Sequence, residues 1–283
     1  MPQTLTAPPS MFTPPGYATP PGGRPASLGM RLLPNSLRFY LGMLGSVLWA
    51  RRLAGRGQFG QAGLSMVSEE CLRVAERSGA RIEITGLEHL DAGKEPAVFI
   101  GNHMSTLETF LLPCMICPAK PLGFIVKDSL LRHRLFGPVM RGVPCVGVTR
   151  TNARQDLQAV LNQGAEMLKN GYSLCIFPQS TRGREFDESK FNSLGAKLAK
   201  RAGVQVIPVA MRTDFWGNGR LVKDVGAVDP AAPVRFAFGP AIPAGTPPQE
   251  AQARVVAFVR EHLQAWGIPC CAASAAAADA ESV

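Results

Sequence analysis

Between residues 81 and 238 the sequence alternates short apolar runs with longer stretches of helical period, and this alternation restricts the fold more than any other feature. Residues 81–85 alternate polar and apolar, as a half-buried strand does. Residues 97–101, 123–126, 145–148, 173–177, 204–211 and 234–238 are instead apolar almost throughout. Strands covered on both faces read this way because neither face meets water. Helical stretches fall between several of them, at 107–116, 154–169 and 193–201, and a last helix is predicted over 249–266. The pattern predicts a single α/β domain over residues 80–268, with a largely parallel central sheet flanked by helices and functional groups at strand ends. No internal repeat or linker divides it.

The chain before this domain has a different composition. Residues 1–68 contain no Asp or Glu, while Arg24, Arg31, Arg38, Arg51, Arg52 and Arg56 all fall there. A basic end suits a polyanion, either nucleic acid or an anionic membrane surface. Residues 36–50 favour the membrane: they form an apolar, helix-compatible run with Tyr40 and Trp49 near its ends and arginines around it. The run is shorter than the roughly 20 residues that cross a bilayer, and it has the profile of a helix lying among headgroups. Nucleic-acid arms are not usually this apolar, so no nucleic-acid partner is expected. The plainer alternative is a soluble core helix with basic ends. A second helix is predicted over 62–77, stopped by Gly79. Residues 31–79 are therefore expected to form an amphipathic, helical, membrane-associating segment, which makes the protein peripheral or monotopic on the cytoplasmic face of the cell membrane.

Residues 1–30 are rich in Pro, Gly, Thr and Ala and lack the layout of an export signal, so a disordered leader is expected. A disordered tail is expected for the Ala-rich residues 269–283. Seven cysteines in apolar surroundings predict reduced thiols rather than a disulfide framework.

Two stretches carry candidate chemistry. In Phe99-Ile-Gly-Asn-His-Met-Ser-Thr-Leu-Glu108 a buried strand ends at Gly101, His103 lies in the turn and a helix starts near Ser105. On a continuous helix His103 and Glu108 diverge by roughly 140°. With His103 in the preceding turn, the chain can fold back so that Glu108 takes one imidazole nitrogen and leaves the other as a proton acceptor. Ser105-Thr-Leu-Glu108 also reads as a helix capping box, which needs no catalysis. In Leu174-Cys-Ile-Phe-Pro-Gln-Ser-Thr-Arg182 a strand runs into a turn bearing an amide, two hydroxyls and a guanidinium suited to phosphate. Val146-Gly-Val-Thr-Arg150 again puts an arginine past a strand, and Val204-Gln-Val-Ile-Pro-Val209 is an apolar run broken by Pro208.

Other candidates are weaker. Cys114 and Cys117 have the spacing of a zinc half-site, but their apolar neighbours favour buried structural thiols. His133 sits in a basic stretch that suits either phosphates or plain solvent, and Asp214 lies past the last block, in a run that also reads as a turn.

These four blocks, in this order and at about these distances, resemble the glycerolipid acyltransferase family typified by bacterial 1-acylglycerol-3-phosphate acyltransferases (the PlsC-like family). The family blocks are Asn-His-x4-Asp, a later block ending in Arg, Phe-Pro-Glu-Gly-Thr-Arg, and a Val-Pro-Ile-x-Pro-like run. The corresponding residues here are Asn102-His103 to Glu108, Gly147 to Arg150, Phe177 to Arg182, and Val206 to Val209, and the resemblance covers about residues 82–240. It implies that His103 takes the proton of an acceptor hydroxyl attacking the thioester of acyl-CoA or acyl-carrier protein, with Glu108 orienting it. Asn102, Ser105, Arg150, Gln179, Ser180, Thr181 and Arg182 become the expected substrate-binding residues, with Arg182 and Arg150 on the anionic parts of acceptor or donor. No bound cofactor, metal or acyl-enzyme is implied. An N-terminal helical pair in the family grips the membrane.

The chain departs from the family at two places. Glu108 replaces the aspartate with an arm one methylene longer, and Gln179-Ser180 replaces the Glu-Gly pair. The expected acceptor is lysophosphatidic acid or a related lysolipid, and the second change implies an altered headgroup, that of another lysophospholipid or a lyso-aminolipid. The alternative is a non-catalytic lipid-binding member. A hydrolase is disfavoured because the nucleophile elbow is missing.

Overall fold

The computed structural model describes residues 10–91, 93, 95–179, 181–219 and 225–271. In chain order its elements are β1 (Gly16–Ala18), α1 (Leu28–Arg31), α2 (Asn35–Gly55), α3 (Gly60–Arg77), β2 (Ile82–Thr85), β3 (Ala97–Gly101), α4 (Leu107–Ile116), β4 (Leu122–Lys127), α5 (Asp128–Leu131), α6 (Gly137–Met140), β5 (Cys145–Val148), α7 (Ala153–Lys169), β6 (Ser173–Ile176), β7 (Phe186–Asp187), α8 (Leu194–Ala202), β8 (Gln205–Arg212), β9 (Val234–Phe238), α9 (Pro248–Ala265) and β10 (Cys270–Cys271).

Eight strands form one sheet in the order β1-β2-β9-β8-β3-β6-β4-β5. From β8 to β5 every neighbouring pair is parallel. Beyond β8 the direction reverses at β9, continues in β2 and reverses again at β1. The chain thus has the expected α/β architecture, with a large, mostly parallel sheet flanked by helices. Alternation along β3 explains why the sheet is covered twice: Ala97 and Phe99 pack with Phe39, Leu72 and Leu111 of α2, α3 and α4. Val98 and Ile100 pack with Leu168, Leu198 and Val255 of α7, α8 and α9. Each such side chain contributes about 1.5–3 kcal/mol by leaving water, which makes both faces obligatory.

Pro208 breaks the apolar run in the sequence but does not break β8, which lies where the strand over residues 204–211 is expected. The strand runs through it in the middle of the sheet. Proline lacks a donor, so it is tolerated only where the ladder does not need one. Here the pairing with β9 begins at Val209, and Pro208 offers only its carbonyl, to the Gly239 amide at 2.9 Å.

The N-terminal part also differs from expectation. Within the leader, β1 pairs with β2, and Phe12 is buried. Buried Glu76 on α3 is the reason the arm is held: it accepts hydrogen bonds from Tyr17 at 2.6 Å and Thr19 at 2.8 Å, and pairs with Arg24 at 2.6 Å. Of the expected tail, Cys270–Cys271 pairs with β7; residues 272–283 lie outside the described residues.

Helix α2 has two apolar faces. Phe39, Met43, Val47, Ala50 and Leu53 are buried, whereas Leu37, Leu41, Leu44 and Leu48 are 46–51% exposed. The exposed leucines recur every three or four residues and so share one face. Leu28 and Leu32, beside α2, are more exposed still. Several arginines expected to face headgroups are engaged internally. Arg38 donates to the carbonyls of Met30, Arg31, Leu33 and Arg77, and Arg24 is held by Glu76. Tyr40 also points inward, donating to the Gly226 carbonyl at 2.6 Å. Arg52 and Arg56 are exposed. No helix among the described residues is long and apolar enough to cross a membrane.

Candidate active site

Because β8, β3, β6, β4 and β5 are parallel, their carboxyl ends share one edge of the sheet, where α/β folds place their functional loops. Asn102 to Thr106 follow β3, Phe177 to Gly183 follow β6, and Thr213 follows β8. The close approach at the end of β3 requires a glycine. A Cβ on Gly101 would stand 2.5 Å from the Val209 carbonyl oxygen.

Helix α4 and the turn after β6 orient His103. Its Nδ1 lies 2.8 Å from Glu108 Oε1, and its ring stacks on Phe177 with centroids 4.6 Å apart and planes 8° from parallel. Both of its backbone groups are taken by the turn after β6: the amide donates to Gln179 Oε1 at 2.6 Å, and the carbonyl accepts from the Gly183 amide at 3.0 Å. The His103 side chain is 19% exposed while that of Glu108 is fully buried.

The Glu108 carboxylate serves both readings of its motif at once. It accepts from the amides of Met104 at 2.8 Å and Ser105 at 3.1 Å, as a cap does, and also faces the imidazole. Its Oε2 accepts from the Thr213 hydroxyl at 2.6 Å. Burial pushes its pKa up, but the hydrogen bond and charge of His103 and the Thr213 bond outweigh burial and hold the carboxyl below its usual range. An ionised Glu108 draws the proton onto Nδ1, which leaves Nε2 as the acceptor nitrogen.

The expected substrate contacts separate into groups. Asn102 is buried, with both amide atoms spent on the Met211 backbone: Nδ2 donates to its carbonyl at 2.7 Å and Oδ1 accepts from its amide at 2.9 Å. Ser105 is also buried, its hydroxyl accepting from the Leu107 amide and donating toward Thr213 at 3.0 Å. These two therefore brace the His103 turn instead of facing a substrate. Arg182 donates to the Thr106 hydroxyl at the start of α4, and Thr181 is exposed beside it. Arg150 stands apart, exposed after edge strand β5, three strand spacings or about 14 Å from β3. Its φ of 60° is left-handed, and Asp156 Oδ2 accepts from its amide at 2.7 Å. Ser180 lies outside the described residues.

Two residues that the sequence does not single out also meet at this site: Phe177, known there only as the start of a block, and Thr213, just before Asp214. Asp214 itself pairs with Arg212 at 3.1 Å. Cys114 and Cys117 are free thiols whose pKa values burial pushes up, and no group of metal-ligating side chains is found among the described residues.

Residues 81–212 match the family profile named Acyltransferase. The chain is 30% identical over 191 residues to a 1-acyl-sn-glycerol-3-phosphate acyltransferase of Pseudomonas aeruginosa, covering 67% of this chain and 68% of that protein. It is 29% identical over 142 residues to the chloroplastic 1-acyl-sn-glycerol-3-phosphate acyltransferase LPAT1 of Arabidopsis thaliana, covering 50% of this chain and 38% of that one. The fold is similar to the crystal structure of the 1-acyl-sn-glycerophosphate (LPA) acyltransferase PlsC from Thermotoga maritima, with a TM-score of 0.62 at 19% identity, over 84% of this chain and 97% of that one. The chain belongs to the acyltransferase family of the 1-acyl-sn-glycerol-3-phosphate acyltransferases and is an acyl-transfer enzyme.

Proposed function

We propose that the protein moves a fatty acyl group from the thioester of acyl-CoA or acyl-carrier protein to the hydroxyl of a lysolipid, with His103 as general base. The observation that carries this reading is the 2.8 Å contact between His103 Nδ1 and the buried Glu108 carboxylate. Nε2 takes the proton of the acceptor hydroxyl as its oxygen attacks the thioester carbonyl carbon. The carbon–sulfur bond then breaks, and the thiolate leaves with the proton carried by the imidazolium. General-base assistance of this kind supplies about 10²–10⁴-fold, and holding both substrates together supplies much of the rest.

Lysophosphatidic acid is the acceptor that the names of the relatives suggest. A related lysophospholipid or lyso-aminolipid is the alternative raised by Gln179-Ser180. Gln179 keeps an oxygen on the His103 amide but carries no charge, so the site meets the acceptor head with one anion fewer than the family block. Arg182, beside the His103 turn, is the proposed contact for the acceptor's anionic group. Arg150, about 14 Å away across the sheet edge, is suited to a more distant part of the donor.

The exposed leucine face of α2, with Leu28 and Leu32, is the proposed membrane contact. Arg31, Arg51, Arg52 and Arg56, all exposed, are the proposed contacts for anionic headgroups, each worth about 1 kcal/mol near such a surface. A mass-spectrometric assay offering acyl-CoA, acyl-carrier protein and a panel of lysolipids on vesicles tests the assignment. A diacyl product names donor and acceptor together. Folded, vesicle-bound protein that acylates none of them would leave a lipid-binding role.

A further inference from the structure

We propose that Thr213 is a positioning residue for the acyl transfer, fixing the Glu108 carboxylate that orients His103; this rests on His103 acting as the base. Thr213 is fully buried at the end of β8, 105 residues from its partner in sequence. Its hydroxyl donates to Glu108 Oε2 at 2.6 Å, and Ser105 Oγ, which accepts from the Leu107 amide at 3.1 Å, shares its one proton between Thr213 Oγ1 at 3.0 Å and Glu108 Oε2 at 3.1 Å. The direction of the bond from Thr213 to Glu108 is forced. An ionised carboxylate only accepts, and a hydroxyl has one proton to give. Thr213 must therefore spend its proton on Glu108.

The two carboxylate oxygens have different duties. Oε1 meets His103 and the Met104 amide, whereas the side-chain hydroxyls converge on Oε2. Fixing Oε2 fixes the rotation of the carboxylate about its last bond, and that rotation decides whether Oε1 faces Nδ1. The longer arm of glutamate makes this necessary, since it has one more torsion to lose than aspartate. Asn102 ties the end of β3 to β8 one step earlier, through Met211. Charged groups near the pair include Arg182, on Thr106, the Arg212–Asp214 ion pair beyond Thr213, and Arg184 and Glu185, which line a cavity with Asn102, Met104 and Gln179.

The test is a cycle of Thr213→Val and Glu108→Asp read by steady-state kinetics across pH, with folding followed by circular dichroism. Thr213→Val is expected to lower kcat about tenfold, the size of one charged hydrogen bond, with both KM values within about twofold. The acid limb of kcat/KM should move to higher pH, because a carboxylate with one donor fewer holds the His103 proton more tightly. Thr213→Ser should restore rate and limb together. In Glu108→Asp, whose shorter arm draws back from β8, Thr213→Val should cost less than about twofold. If valine does not fold at this site, Thr213→Ala is read against Thr213→Ser in the same way. A variant lacking the hydroxyl but keeping wild-type kcat and pH profile overturns the proposal, as does an equal loss in both backgrounds. Failure of the underlying reading is distinct: His103→Ala would then remain active.

Discussion

The imidazole of His103 lies face to face with the ring of Phe177, 4.6 Å away and 8° from parallel. The stack fixes the plane of the ring while Glu108 fixes its rotation within that plane, so the turn after β6 and helix α4 each remove one freedom. Aromatic pairs are worth about 0.5–1.5 kcal/mol beyond burial, so Phe177→Leu should lower kcat by roughly two- to tenfold. Steady-state kinetics on vesicles checks this, and an unchanged kcat would make the stack incidental.

Gln179 holds the His103 amide through its side-chain oxygen at 2.6 Å. Glutamate at this position keeps that acceptor, whereas leucine leaves a part-buried amide without its partner, at a cost of about 1–3 kcal/mol. Gln179→Leu should therefore lower both the urea midpoint and kcat, while Gln179→Glu keeps the midpoint. Equal midpoints for the two variants would show that this bond does not stabilise the turn.

The depressed pKa of Glu108 makes a statement about acid stability. A carboxyl whose folded pKa lies below its unfolded value of about 4.3 contributes stability above that value. The contribution is lost as pH falls through the lower folded pKa. Urea midpoints should thus fall more steeply below about pH 4 in the wild type than in Glu108→Gln. Parallel curves would remove the ionised carboxylate from the account.

The leucine face of α2 can be altered without touching the core, because Phe39, Met43 and Val47 occupy the opposite side. Replacing Leu37, Leu41, Leu44 and Leu48 with glutamine should release the protein from anionic vesicles and leave the folding midpoint in place. Undiminished sedimentation with vesicles would put the membrane contact elsewhere. Truncating the chain through α2 is a poorer test, since it strips those three residues from the core.

Much of the architecture was legible because burial writes itself into composition. Strands Ala97–Gly101, Cys145–Val148 and Val234–Phe238, and helix Leu107–Ile116, lie where their apolar runs and period place them. Strand β1 was not legible, because Gly16-Tyr17-Ala18 sits among prolines and is held by Glu76, about 60 residues away in sequence. Polar residues of the motif divided similarly. His103 and Glu108 stand out by spacing, but whether Asn102 faces a substrate or the backbone of β8 depends on a pairing 109 residues distant. Thr213 carries no local signal at all: one hydroxyl after an apolar run gains meaning only when β8 and β3 lie side by side.

The central claim is that His103 removes the acceptor proton, and the most direct measurement compares turnover of wild type and His103→Ala on the same vesicles, with the acylated lipid quantified by mass spectrometry. The account predicts a loss of at least about 100-fold, with vesicle binding and folding unchanged. Near-normal turnover in the folded variant would contradict it.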